Sequence, residues 1–142
     1  MALTIGTNSW ISLSDAETFF SEHIGAAPWD ALADDATKEK YLISAYRWVA
    51  TDPMFDVPAA SDSQNVKYGQ CEAALFLINH YEEYQKRDAM QAAGITKFNY
   101  SEWHEYLGEL TKPRSVVNYF TSAGFYSGGV AMTILKDPAI LT

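Results

Sequence analysis

The chain has 142 residues, 48% of them apolar and 14% aromatic, and carries a net charge of −8. This length predicts one domain, able to bury roughly 68% of its unfolded surface without staples. Acidity argues against a grip on nucleic acid, which needs Lys and Arg on phosphates. The lone Cys71 excludes an intramolecular disulfide, and no apolar run reaches the ~20 residues of a membrane span.

The chain opens with a short apolar arm that contains Leu3, Ile5 and Trp10 around a Gly6-Thr7-Asn8-Ser9 turn. It has no obvious place in a core of its own and reads as a strap for a neighbouring subunit. A first helix begins at Ser12 or Ser14. Ser14 and Glu17 have capping-box spacing, and Ala16, Phe19, Phe20 and Ile24 form one apolar face up to a C-cap at Gly25. Trp29 then reads as a plug between helices. Asp34 or Asp35 caps a second helix, whose stripe of Tyr41, Ala45, Trp48 and Val49 is widened by Leu42 and Tyr46. Thr51-Asp52-Pro53 stops it.

A loop anchored by Phe55 and Val57 leads to a third, long helix starting near Ser61 or Ser63. Its stripe is Val66, Gln70, Ala73, Ala74, Leu77, Ile78 and Tyr81, and it extends as far as Ala93. Gly69 weakens that helix by about 1 kcal/mol against Ala unless another backbone packs closely there. Residues 95–106 have partial period-two alternation and predict an extended or strand segment. Pro113 opens a short helix through Val116, Val117, Tyr119 and Phe120, capped by Thr111. The tail contains Gly124, Phe125, Tyr126, Gly128, Gly129, Val130, Ile134 and Pro138. It lacks helical spacing and reads as a surface for a partner. The expected architecture is mainly α: a small bundle of three principal helices plus a short C-terminal helix, with a minor extended element. A helical domain over 1–123 precedes an interacting tail over 124–142.

No catalytic constellation emerges. His23, His80 and His104 lie far apart, and none has a Cys or second His at metal-ligand spacing. Asp34-Asp35 reads as a cap with first-turn acid, Tyr81-Glu82-Glu83-Tyr84 as a solvated face, and Cys71 as a small core residue. The glycines after Gly124 are not followed by the Lys and Ser/Thr of a phosphate loop. The aromatic run Phe98, Tyr100, Trp103 and Tyr106 has the ring content to stack single-stranded bases, but Lys97 is its only cation against Glu102 and Glu105. The expectation is therefore a protein that is not an enzyme and has no cofactor and no metal site.

The succession of segments resembles a known family. Ser12-Leu13-Ser14-Asp15-Ala16-Glu17-Thr18-Phe19-Phe20 is similar to the "Y-x-S-L-x-E-A-x-x-Y-F" opening of tailed-bacteriophage head–tail connector, or head-completion, proteins. Related sequences carry the label DnaT-like single-stranded-DNA-binding protein. Lys38–Val49, with Ala45 and Arg47, resembles that family's "ALI-x-A-T-R-x-I" helix, and Val57-Pro58 its "V-P-x-x-V-x-x-A" junction. Gly94–Ser101 is similar to the extended segment that follows, and Val116–Phe120 to the short closing helix. Two departures stand out. Asp52-Pro53-Met54-Phe55 replaces the usual "W-P-R" signature, and the tail beyond Gly124 is longer.

The resemblance implies a homo-oligomeric ring, commonly twelve-fold, seated beneath the portal protein at the virion neck after synthesis in the host cytoplasm. Such a ring extends the channel through which double-stranded DNA passes without specific binding. It also docks a tail, nozzle or tail-terminator protein. No membrane partner is implied. The alternative within the resemblance is a single-stranded-DNA-binding accessory protein. Interface positions expected on either side of the ring are Leu3, Ile5 and Trp10 in the arm and Phe125, Tyr126, Val130 and Ile134 in the tail.

Overall fold

Five helices in chain order build the part of the molecule described by the computed structural model, residues 3–92 and 112–126. They are α1 (Leu13–Ser21), α2 (Ala27–Asp30), α3 (Asp35–Ala50), α4 (Gln64–Ala92) and α5 (Arg114–Ala123). Among the described residues there is no β-sheet, only the isolated bridges Ile5–Ser9 and Phe55–Tyr126. The mainly helical bundle is thus as expected, with α2 as an addition. The extended element over 95–106 and the tail from residue 127 onward lie outside the described residues. So does the C-terminal end expected for α4.

Local chemistry accounts for most helix ends. Asp34 caps α3 by accepting from the Thr37 amide at 2.8 Å, and hydrogen bonds from the Thr37 side chain and amide hold its carboxyl below the ordinary range. Asp35 adds first-turn charge, and α3 stops at Ala50 before Thr51-Asp52-Pro53. At the end of α5, Gly124 takes φ +86°. The Phe125 amide reaches back to the Phe120 carbonyl at 2.9 Å and the Gly124 amide to Thr121 at 3.0 Å. This is the Schellman arrangement, which only glycine enters without strain. It turns the chain back onto the bundle.

Four details depart from the sequence reading. Ser12, not a Ser14–Glu17 box, caps α1 by accepting from the Asp15 amide at 3.1 Å. Glu17 is engaged elsewhere, with Lys38 Nζ at 2.7 Å and the Trp29 indole N–H at 3.4 Å. Helix α1 then closes at Glu22 rather than Gly25, so Ile24 leaves the apolar face altogether. Pro113 itself occupies the N-cap position of α5, and Thr111, expected as its cap, lies outside the described residues.

The core wraps α4. Trp29 is fully buried and stacks on Phe20 at 4.2 Å, as its position between helices implied. From α3, Leu42, Ala45, Tyr46 and Val49 face inward, while Tyr41 and Trp48 are half-buried. Helix α4 buries Val66, Gln70, Cys71, Ala73, Ala74 and Leu77, but Tyr81 is exposed. Gly69 is explained by a ring rather than a backbone. A Cβ there would stand 2.5 Å from Phe120 Cε2, so glycine admits α5 onto α4.

Candidate interaction surface

The arm is the first surprise, because its key residue is core. Gly6 at φ +86° lets the chain double back, with its amide on the Ser9 carbonyl at 2.9 Å and the Asn8 carboxamide accepting from Thr4 at 2.7 Å. That turn delivers Trp10 into the bundle, where it is wholly buried against Tyr46 (4.3 Å) and Phe120 (5.9 Å). A buried indole and its backbone need partners. The indole N–H donates to the Pro58 carbonyl at 2.9 Å, and the Trp10 amide donates to Gln70 Oε1 at 2.8 Å.

Gln70 completes the knot. Its amide nitrogen donates to Ser9 Oγ and to the Leu42 carbonyl, both at 2.8 Å, and Ser9 Oγ donates to the Ile11 carbonyl at 2.7 Å. One fully buried glutamine therefore ties the arm, α3 and α4 together. Its place on the apolar stripe of α4 was visible in the sequence; its polar role was not.

The expected interface positions are accordingly scattered. Trp10 has no surface left for a partner, which corrects its assignment to a strap: its hydrogen bonds and rings are satisfied within the chain. Leu3 packs half-buried against the core, and Ile5 is exposed. In the tail, Tyr126 is buried against Phe55 at 4.8 Å, while Phe125 is half-buried and its carbonyl accepts from the Asp56 amide at 2.8 Å. These two tail residues likewise pack within the chain. The bundle thus continues past residue 124 to the last described residue. Val130 and Ile134 lie outside the described residues.

A few titratable groups are tied into this packing. Cys71 is buried, as expected, and burial pushes its thiol well above the ordinary range. Lys112 and Asp52 form a buried ion pair at 2.7 Å, with the ammonium also 4.6 Å from the Trp48 ring centre. Desolvation lowers the Lys112 pKa, against the opposing pull of Asp52. The pair clamps the end of α3 to the start of α5. His23 is pinned between Glu72, at 2.8 Å from Nε2, and the Gly25 amide, which donates to Nδ1 at 2.9 Å. Nδ1 accepts, so the ring proton sits on Nε2 and is donated to Glu72. His104 lies outside the described residues. No group of three potential metal ligands occurs among the described residues, and no helix there is long and apolar enough to cross a membrane.

Among the described residues, a groove of about 690 Å³ lies between α3 and α4. Along α3 it is lined by Thr37, Lys40, Tyr41, Ser44, Arg47, Trp48 and Thr51, and along α4 by Leu77 and Tyr81. The α3 positions recur every three or four residues, which places them on one helix face. Trp48 stacks on Phe76 at 5.5 Å and forms part of an aromatic floor. The charged lining residues are both cations, Lys40 and Arg47, in a protein of net charge −8. The signal was present in the sequence as a second, hydroxyl-and-cation stripe on α3. The apolar stripe of α3 assigns Tyr41 and Trp48 wholly to the core, which leaves that second stripe without a role.

Compared with protein-family models, with curated proteins and with solved structures, the chain matches none.

Proposed function

We propose that this chain is a non-enzymatic head–tail adaptor of a tailed bacteriophage, one subunit of a ring that continues the DNA channel below the portal and receives the tail. The observation that carries the reading is the ordered succession of segments resembling that family. Those that fall in described residues lie on α1, α3, the Val57-Pro58 junction and α5, which pack as one body around α4. The charge of −8 suits a channel component, because acidic walls repel DNA and leave it free to move.

A reconstruction of the mature particle tests this. The expected outcome is a ring of this helical body between portal and tail, encoded by a gene lying between capsid and tail genes. Neck density accounted for entirely by other chains overturns the reading.

A further inference from the structure

Three helices turn an aromatic ring onto one strip of surface. Phe19 of α1 stands 5.0 Å from Tyr68 of α4, and Tyr68 stands 5.9 Å from Tyr119 of α5. All three residues are half-buried, so each keeps part of its surface accessible.

Carboxylates edge the strip. Asp15, Phe19 and Glu22 recur at i, i+4 and i+7, which places them on one face of α1. Asp15 and Glu22 are exposed and make no ion pair among the described residues. On α4, Glu72 stands one turn beyond Tyr68 on the same face. Burial first, then Glu72 and Asp15, push the Cys71 thiol up, so these two carboxylates lie about the same residue. Burial first, and Glu72 after it, likewise raise the Tyr119 phenol. His23 donates to Glu72 as the neutral tautomer fixed by the Gly25 amide, which leaves the charge of Glu72 uncompensated.

The cations of these helices point elsewhere. At about 100° per residue, Lys67 points roughly 140° away from Glu72 around α4, and Arg114 points as far from Tyr119 around α5. Lys86 and Arg87 lie about 21 Å or more farther along α4. Lys38 of α3 is held by Glu17, which points roughly 160° away from Phe19 around α1. Ring faces carry negative potential, and a guanidinium lies flat on a ring while its N–H groups pair with carboxylates at the edge. An ammonium presents no such plane, and a wholly apolar partner would leave the carboxylates unpaired in a dry contact.

We propose that this strip binds an arginine-bearing segment of a protein partner, with the guanidinium over the Tyr68 and Tyr119 rings and its N–H groups turned to the flanking carboxylates. The inference goes beyond the adaptor reading and does not depend on it, since it concerns the chemistry of the partner wherever the chain assembles.

Fluorescence anisotropy tests it, with the full chain and a labelled peptide of Arg-Gly repeats in about 0.15 M salt, which screens charges beyond ~8 Å. The peptide is expected to bind. Replacing each arginine by citrulline, which keeps the plane and removes the charge, should abolish binding. A Lys-Gly peptide should bind about fivefold or more weakly. Tyr68→Leu and the pair D15N/E22Q should each weaken binding about fivefold, while Tyr68→Phe stays within about twofold. The charge-matched pair D35N/E39Q on α3 should leave binding unchanged, and circular dichroism verifies the folding of each variant. Absence of binding, an equal loss from D35N/E39Q, a Tyr68→Leu variant that binds as the wild type does, or a lysine or citrulline peptide that binds as tightly overturns the proposal. Self-association of the wild type that Tyr68→Leu abolishes assigns the strip to a second copy and equally overturns it.

Discussion

Helix α4 has two unlike sides. Toward the arm and α5, Gln70 binds three partners, Gly69 accepts the Phe120 ring in direct contact, and Trp10 is buried with both of its N–H groups paired. Toward the groove, Leu77 gives way to exposed Tyr81, and the facing side of α3 presents Lys40, Ser44, Arg47 and Thr51 to solvent. The same helix thus carries one side whose polar groups are satisfied within the chain and another bordered by exposed cations and hydroxyls of α3. The first kind of surface sets stability; the second sets what the body meets.

The contrast can be broken experimentally, starting with the largest expected effect. Trp10→Ala should cost about 3–5 kcal/mol in urea unfolding, because it empties the centre of the packed side. A cost near zero would return the arm to the role of an external strap. Gln70→Leu should cost about 2–3 kcal/mol, since it leaves the Trp10 amide, the Leu42 carbonyl and Ser9 without their partner.

Gly69→Ala sharpens the contrast through its sign. In an exposed helix this change stabilises by about 1 kcal/mol. Here the added methyl meets a Phe120 ring hemmed in by Trp10 and Phe55, so a loss of about 1–3 kcal/mol is expected. Combining it with Phe120→Leu should cost less than the sum of the two single changes, as a double-mutant cycle would show.

Cys71 gives the packed side a signature in pH. Its folded pKa is raised above the ordinary 9.0, so the unfolded chain loses the proton first. The stability contribution is complete below about pH 9 and falls as pH rises, by up to about 1.4 kcal/mol per pH unit. The Cys71→Ala variant should lose this component of the alkaline slope in unfolding measured from pH 8 to 10. The smallest effects belong to the open side. Ser44→Ala and Arg47→Ala should each change stability by no more than about 0.5 kcal/mol. A larger loss would make the groove part of the packed body.

Much of the fold was legible because it is local. The Asp34 cap, the stop at Thr51-Asp52-Pro53 and the inward stripe of α3 follow from residues within a turn or two of one another. Trp29 was legible too, since a tryptophan between two amphipathic helices has few places to go. The groove was legible only in part. Its cations and hydroxyls stand in register on α3, but whether Trp48 is floor or core depends on how α4 lies across it. Ile24 was misread because its periodicity continued α1 correctly, while the chain left the helix at Glu22 for a His23–Glu72 contact spanning 49 residues.

The sequence by itself determined the helical class, the cap and stop of α3, and the single small thiol of the core, since each rests on short-range hydrogen bonding or on burial that any packing would impose. Only the tertiary structure decided the fate of the arm and the two flanks. Trp10 became core because Gln70, sixty residues away, meets its amide. Glu17 left its own helix start because Lys38 lies across from it. Ile24 was left exposed because its neighbour His23 is held by Glu72, 49 residues on. Such outcomes depend on which distant partner satisfies a buried donor, a charge or a ring, and periodicity along the chain carries no record of that choice.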